Sequence, residues 1–179
     1  MRLDRHGRVR KRAEGILKMV AQDCILCSGQ VENLSHQAAQ DSGSYLLIIR
    51  LAGAVRIRIG AKGIFHFPAG WYVYAGSAKR GLRARIERHL RKKKRMRWHI
   101  DYLLRRATVR QVILFTDPRR WHGISSRAVG RLKTCPTVTT ECELAALLLK
   151  LGGSIVVPRF GSSDCLCRAH LAHFGRPPV

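Results

Sequence analysis

Residues 71–78 read Trp71-Tyr72-Val73-Tyr74-Ala75-Gly76-Ser77-Ala78, and the basic segment Leu82 to Arg95 follows them. An alternating apolar and aromatic run that ends in Gly-Ser and leads into a 3.6-residue period predicts a strand followed by a helix. In that helix Leu82, Ile86 and Leu90 recur every four residues, which predicts the face that packs on the core.

The same helix carries Arg85 and His89, which are also four residues apart and share the face beside the apolar one. A guanidinium is a permanent cation with a fork of donors, and here it stands next to an imidazole. This combination suits the binding of a phosphate. We therefore expect the chemistry of the protein to begin on this helix.

Two glycine-tyrosine motifs flank the predicted strands. Gly43-Ser44-Tyr45 opens an earlier apolar stretch, and Tyr74-Ala75-Gly76 closes the strand that precedes Arg85 and His89. These residues resemble the GIY-YIG nuclease superfamily, in which a Gly-x-Tyr strand pairs with a Tyr-x-Gly strand and a helix supplies an Arg and often a His. The resemblance implies an α+β fold with a small, mostly antiparallel sheet flanked by helices.

Five longer segments of the sequence resemble one particular branch of this superfamily. They are Tyr72-Val73-Tyr74-Ala75-Gly76-Ser77-Ala78, Arg88-His89-Leu90-Arg91, Trp98-His99-Ile100-Asp101-Tyr102-Leu103-Leu104, Glu141-Cys142-Glu143-Leu144-Ala145 and Phe160-Gly161-Ser162-Ser163-Asp164-Cys165. Together they resemble the DUF123 branch, over roughly Gly43 to Phe174. We expect a GIY-YIG-like domain over residues 43–174, a poorly ordered or loosely docked extension over residues 1–42, and a tail over residues 175–179.

The resemblance implies a divalent-metal-dependent DNA endonuclease with a role in DNA repair, whose catalytic residues are Tyr45, Tyr74, Arg85 and His89. Tyrosines on strands are usually core residues whose hydroxyl finds a partner. The placement of both tyrosines beside glycines, with Arg85 and His89 on the next helix, favours the functional interpretation. The alternative is a non-catalytic nucleic-acid-binding module on the same scaffold.

A late helix is predicted to begin at Glu141, run to about Leu151 and end at Gly152-Gly153. Thr140 and Glu143 fit a capping box, which gives Glu143 a structural role. Because the resemblance implies a metal-binding Glu on such a helix, we assign one Mg²⁺ or Mn²⁺ ion to Glu141, with Glu143 as the alternative.

The sequence leaves two assignments open: the role of His99, and the residue that makes the last contact with the substrate. His99 is either a structural histidine paired with Asp101 or a catalytic one. The superfamily's late Asn has no clear counterpart here, so Ser162, Ser163 or Asp164 would provide the last contact with the substrate.

The formal charge of the chain is +23, from 34 basic and 11 acidic residues. Residues 1–42 hold 7 basic and 5 acidic residues, whereas residues 43–179 hold 27 and 6, so the excess belongs to the domain. Nucleic acid is the partner that such a surface favours, with DNA preferred over RNA. A membrane is not expected, because no apolar run approaches the roughly 20 residues of a spanning helix.

The segment from Lys79 to Arg97 contains eleven Lys and Arg residues and one acid, Glu87. Such a run is often only a solvated face, but next to a phosphodiester site it predicts a surface that follows the nucleic-acid backbone. The residues assigned to this contact are Lys79, Arg80, Arg88, Arg91, Lys92 and Lys93.

Six cysteines occur in a chain whose start lacks the apolar core of a signal peptide. We therefore expect a reducing, cytoplasmic location, with thiols or metal ligands in place of disulfides. Cys24 and Cys27 form a single C-x-x-C that lacks a second pair at zinc-finger spacing, so incidental thiols are the simpler interpretation.

A second group of soft ligands lies near the end of the chain, at Cys165, Cys167, His170 and His173. A structural Zn²⁺ is one interpretation and the packing of small buried thiols is the other, because C-x-C followed by H-x-x-H on a helix matches no standard zinc finger.

Three further elements are expected along the chain. Ser44–Leu51 and Val55–Ile59 flank a turn at Ala52-Gly53, which is typical of a hairpin. The β-branched residues Val109, Val112 and Ile113 predict a strand over residues 109–115, and residues 154–158 predict the last strand.

Overall fold

The computed structural model of the protein describes residues 42–115, 132–135 and 140–177. Its strands are β1 (Gly43–Leu51), β2 (Val55–Arg58), β3 (Ile64–Phe67), β4 (Gly70–Ala78), β5 (Thr108–Phe115), β6 (Leu132–Cys135) and β7 (Leu171–Phe174). Five of them form one sheet in the order β6-β5-β1-β4-β7, antiparallel except for the β5–β6 pair. The predicted α+β class with a mostly antiparallel sheet is confirmed.

The helices of the described residues are α1 (Leu82–Leu90), α2 (His99–Leu104) and α3 (Glu141–Lys150), with a 3-10 turn at Gly60–Lys62. Leu82 and Ile86 of α1 and Leu103 of α2 belong to the core on one face of the sheet. Leu144 and Leu148 of α3 belong to the core on the other face. The sheet is therefore flanked by helices on both sides, and both of its faces are covered.

The central strand β1 is buried on both faces, which explains why its sequence is almost continuously apolar. Alternate residues point to opposite faces. Tyr45, Leu47 and Ile49 face α1 and α2, whereas Leu46 and Ile48 face α3. The two glycine-tyrosine motifs lie on paired strands, because β1 pairs with β4 along its whole length.

The predicted hairpin between β1 and β2 is wrong. Both edges of β1 are occupied by β4 and β5, so no edge is left for β2. β2 instead pairs with β3 in a separate two-stranded sheet, with Val55 opposite Phe67.

The prediction of a last strand at residues 154–158 is also wrong, because only Ser154 forms an isolated bridge, to His173. The last strand is β7, which pairs with the outer edge of β4 and places Leu171 opposite Tyr74. Leu171 and Ala172 are buried on opposite faces of the sheet, a strand pattern, and so His173 does not lie on a helix.

The strand predicted at residues 109–115 and the helix predicted from Glu141 are confirmed as β5 and α3. The capping box is present: Thr140 N–H donates to Oε2 of Glu143 at 2.9 Å, and Glu143 N–H donates to Oγ1 of Thr140 at 3.3 Å. Such a box satisfies backbone donors that the first helical turn leaves free.

The predictions for residues 1–41, including Cys24 and Cys27, lie outside the described residues. Within the residues that are described, no helix is long and apolar enough to cross a membrane.

Candidate active site

A pocket of about 840 Å³ opens at the end of the sheet where β1 begins and β4 ends. It is lined by all five residues to which catalysis and metal binding were assigned, Tyr45, Tyr74, Arg85, His89 and Glu141. The other lining residues include Lys79, Arg80, Arg97, Trp98, His99, Ser163 and Asp164.

The pairing register places Tyr45 directly opposite Gly76. A Cβ at position 76 would lie 2.5 Å from Cζ and from the hydroxyl oxygen of Tyr45, so the phenol ring occupies the space that a side chain would need. The ring then reaches α1, where its hydroxyl lies 2.8 Å from Nε2 of His89. Gly76 of the second motif thus leaves the space that the Tyr45 ring of the first motif occupies.

Tyr74 lies two residues before Gly76 and therefore faces the same side of the sheet as Tyr45, with 6.4 Å between the ring centroids. Its ring packs against Gly161, where a Cβ would come within 2.8 Å of Cε2 of Tyr74. Burial raises the pKa of both tyrosines, and the neighbouring Arg85 opposes the rise in each. Both phenols are therefore neutral at pH 7.

His89 is only 3 % exposed. Burial, and then the cationic Lys94, lower the pKa of His89 to about 3, so the imidazole is neutral at pH 7. Nε2 shares its hydrogen bond with Tyr45, while Nδ1 has no hydrogen-bond partner among the described residues. A neutral imidazole next to a phenol can take up a proton.

The guanidinium of Arg85 is fixed on two sides. Nη1 donates to the carbonyl oxygen of Ser77 at 2.7 Å, and the group lies 5.0 Å from the ring centroid of Trp98. Trp98 also packs 5.5 Å from the His89 ring, centroid to centroid. A planar cation held against an aromatic face presents its remaining donors in a defined direction.

Glu141 reaches the pocket from the other side of the sheet. Its helix α3 packs on the face opposite α1, but Glu141 is the first residue of α3 and lies at the open end of the sheet. Burial and then Asp164 raise the pKa of Glu141, whereas Arg85 and Lys79 oppose the rise. Two carboxylates and two cations therefore interact within one pocket.

Of the two acids considered as metal ligands, only Glu141 lines the pocket. Glu143 is exposed and bonded to Thr140 in the capping box, which lowers its pKa. The structure therefore disfavours Glu143 as a metal ligand, and the second carboxylate at the pocket comes from Asp164.

Of the two alternatives for His99, the structure does not show the pairing with Asp101, which binds Arg88 and the backbone of Arg97 and Trp98. Nδ1 of His99 accepts a hydrogen bond from Gly161 N–H at 3.1 Å, and His99 lines the pocket. Ser162 is fully buried and donates to the carbonyl oxygen of Cys167 at 3.0 Å, which gives it a structural role. Of the three residues considered for the last substrate contact, Ser163 and Asp164 line the pocket.

Arg88 was expected to contact nucleic acid, but it has a partner inside the protein. Its Nη1 and Nη2 donate to the two carboxylate oxygens of Asp101, at 3.0 and 2.9 Å. Asp101 is fully buried and also accepts from the backbone N–H groups of Arg97 and Trp98. This fork holds the C-terminal part of α1 against the start of α2.

The other basic residues divide into two groups. Lys79 and Arg80 line the pocket together with Arg97, which had not been assigned a role. Arg91, Lys92 and Lys93 are exposed beyond the end of α1 and extend the basic surface away from the pocket. Trp98 had not been assigned a role either, although its place directly after a basic run is a signal in the sequence that could have indicated one.

The predicted zinc ligands are only partly brought together. Cys165, Cys167 and His170 lie in one cluster with Cys142, and the four ligand atoms all lie within 4.8 Å of one another. His173 is elsewhere: its Nδ1 lies 3.4 Å from the Ser154 hydroxyl and its Nε2 lies 3.3 Å from the carbonyl oxygen of Ala69. Four side chains that could hold a metal ion are therefore present, with Cys142 in the place predicted for His173.

The family model described as "Domain of unknown function DUF123" matches residues 44–139 and 125–178. The chain belongs to the DUF123 family. The comparisons with curated proteins and with solved structures find no match. The family description names no activity, so function has to be argued from the pocket itself.

Proposed function

We propose that the protein is a divalent-metal-dependent endonuclease that hydrolyses phosphodiester bonds in DNA. One observation carries the proposal: Arg85 and Glu141 come from helices on opposite faces of the sheet and meet in the pocket that contains the Tyr45–His89 pair. The resemblance to the GIY-YIG nucleases, in which the same residue types act together, favours DNA over RNA.

Hydrolysis of a phosphodiester requires a nucleophilic water, neutralisation of charge on the phosphate and stabilisation of the leaving oxygen. The donor set of the pocket fits Mg²⁺ or Mn²⁺, because such ions use one or two carboxylates and keep several waters. Glu141 would hold the ion with Asp164 beside it. The bound ion supplies Lewis-acid stabilisation of the phosphate and of the leaving oxygen.

Arg85 binds the scissile phosphate. Its contacts with Ser77 and Trp98 use one edge and one face of the guanidinium and leave other donors for the substrate. Lys79, Arg80 and Arg97 around the rim draw the anionic backbone toward the pocket.

Tyr45 orients the attacking water and accepts a proton from it, while its own hydroxyl proton passes to Nε2 of His89. The new bond joins the water oxygen to phosphorus, and the bond from phosphorus to the 3′ oxygen breaks. The leaving oxygen takes a proton from solvent, and His89 returns its proton to solvent afterwards. Burial disfavours a charged His89, and the anionic phosphate in the pocket offsets this cost.

The test is a supercoiled-plasmid nicking assay with Mg²⁺, with Mn²⁺ and with EDTA. We expect Arg85→Ala and Glu141→Gln to reduce nicking by about 100-fold or more. Two matched controls make the same substitutions at positions outside the pocket. Arg110→Ala removes a guanidinium from the exposed part of β5, and Glu87→Gln removes a carboxylate that pairs with Arg83 on the surface of α1.

Nicking by both pocket variants at the parental rate would overturn the proposal. A different result, binding of DNA with steep salt dependence but no metal-dependent cleavage by the parent protein, would support the non-catalytic binding module in its place.

A further inference from the structure

Three thiols and one imidazole meet at the side of the pocket formed by the start of α3 and the loop of residues 155–170. Sγ of Cys165 lies 3.3 Å from Nε2 of His170, and Sγ of Cys142 lies 3.9 Å from the same nitrogen. A tetrahedral zinc site with Zn–S near 2.3 Å and Zn–N near 2.0 Å has ligand–ligand distances of about 3.5 to 3.8 Å. The four atoms are therefore close to the arrangement that such an ion needs.

The packing of buried thiols explains this cluster poorly. Cys142, Cys165 and Cys167 are all partly exposed, whereas a cysteine that serves as a small apolar side chain is usually buried. Three neighbouring thiols at a polar surface gain little from one another. A soft divalent cation accounts for their convergence, since thiolates and imidazole are the ligands that zinc prefers.

The surrounding loop is held in place by the protein. Arg159 donates to the carbonyl oxygens of Cys165 and Cys167, and Ser162 donates to the latter as well. The backbone of His170 is fixed on both sides, because its N–H donates to Phe160 and its carbonyl accepts from Ala75 N–H.

We propose that Cys142, Cys165, Cys167 and His170 bind one structural Zn²⁺ ion. Binding replaces the thiol protons, which pass to solvent, and gives a closed site of four protein ligands with no position for a substrate. The ion joins the N-terminus of α3 to a long loop without helix or strand.

A second consequence rests on the proposed nuclease function. Each carboxylate at the pocket is the sequence neighbour of a zinc ligand: Glu141 precedes Cys142, and Asp164 precedes Cys165. The zinc ion thus holds together the two segments that carry these acids. Loss of zinc would move the carboxylates apart without any change to the Tyr45–His89 pair.

The test begins with the unmodified full chain, purified without added metal or chelator. Elemental analysis is expected to give about one zinc per chain, and Cys142→Ser and Cys165→Ser should each reduce the zinc content severalfold. The double variant Cys24→Ser/Cys27→Ser is the matched control, because it removes two thiols that are not among the four proposed ligands. X-ray absorption at the zinc edge should show three sulfur ligands and one nitrogen.

A second measurement does not depend on the folding of variants. Zinc is removed from the parent protein with a thiol-blocking mercurial and a chelator, and the thiols are then regenerated. The Tm is expected to fall, and to recover with Zn²⁺ but not with Mg²⁺.

Absence of zinc from the parent protein together with a Tm that Zn²⁺ does not change would overturn the inference. Loss of zinc only in the Cys24/Cys27 control would also overturn it. These outcomes are separate from the nuclease test: a zinc-loaded protein that fails to nick DNA contradicts the proposed function alone, and a zinc-free protein that nicks contradicts this inference alone.

Discussion

The hydroxyl of Tyr45 lies 2.8 Å from Nε2 of His89, although the two residues are 44 positions apart in the chain. Two local periodicities produce the contact. The two-residue period of β1 turns Tyr45 toward α1, and the helical period of α1 places His89 one turn after Arg85. The pair is therefore a direct result of sheet register and helix phase.

Replacement of Tyr45 by Phe should reduce DNA nicking by about 100-fold or more, because it removes the hydroxyl that accepts the proton of the attacking water and passes its own proton to His89. Tyr72→Phe is the control, since Tyr72 lies on the same face of the sheet but donates to the carbonyl oxygen of Pro68 at 2.7 Å, away from the pocket. Each change leaves one acceptor without its donor, so both variants should lose about 1 to 3 kcal/mol of stability. Equal nicking rates for the two variants would contradict the role of Tyr45.

The pH dependence of nicking should show no inflection near pH 6.5. His89 has a pKa of about 3 and stays neutral throughout the working range, whereas the pKa of Tyr45 is raised well above 10. The rate under saturating metal should stay level from pH 7 to pH 9, because the neutral His89 accepts the phenol proton throughout that range. At subsaturating metal the rate should fall in acid as protons compete with the ion for Glu141, whose pKa is raised in the metal-free protein by burial and then by Asp164. A step near pH 6.5 that disappears in His89→Gln would contradict this assignment.

Replacement of Arg85 by Lys keeps the charge but removes the planar fork and the stacking on Trp98. We expect a loss of about tenfold or more in kcat with DNA binding largely retained, since the rim residues Lys79 and Arg80 still attract the backbone. Single-turnover nicking and a filter-binding titration separate the two effects. Parental kcat in Arg85→Lys would mean that the phosphate needs only a point charge.

The exposed basic group of Arg91, Lys92 and Lys93 should contribute to affinity and not to chemistry. Replacement of all three by Ala is expected to reduce the slope of log Kd against log salt concentration by up to about 3, with nicking unchanged at saturating DNA. An unchanged salt slope would show that DNA follows a different surface.

Asp101 should contribute to stability through its buried contacts with Arg88 and the backbone. Burial alone would raise the pKa of Asp101, but hydrogen bonds from Arg88 and from the backbone N–H groups of Arg97 and Trp98 lower it to about 2 from an ordinary 3.8. The corresponding stability is fully present above pH 3.8 and is lost as the pH falls toward 2. Asp101→Asn should cost about 2 to 3 kcal/mol at pH 7 and much less near pH 2, as measured by urea unfolding. A cost that does not depend on pH would exclude the ionised carboxylate as its source.

Local patterns were sufficient to predict several elements. β4, α1, β5 and α3 each have a period or a cap that a short window of sequence contains, and their predictions are confirmed. The pocket residues could be assigned because Arg85 and His89 share a helix face and the two tyrosines carry glycine motifs. Their meeting with Glu141 could not be worked out from periodicity, because α3 packs on the opposite face of the sheet.

The errors come from contacts between distant parts of the chain. A turn between β1 and β2 does not reveal that β4 and β5 take both edges of β1. Spacing within residues 165–173 likewise suggested His173 as the fourth ligand, whereas tertiary packing supplies Cys142 from the start of α3. Arg88 was assigned to the surface because a basic run does not show which of its members meets a buried acid such as Asp101.

The contact between the Tyr45 ring and Gly76 also has a consequence for how the strands align. Because β1 is apolar on both faces, hydrophobicity alone scarcely distinguishes the native alignment from one shifted by a single residue. In a shifted alignment the Tyr45 ring would meet Ala75 or Ser77 instead of a residue without a side chain. The glycine opposite Tyr45 therefore favours the native alignment during folding, and the phenols of Tyr45 and Tyr74 face α1 as a result.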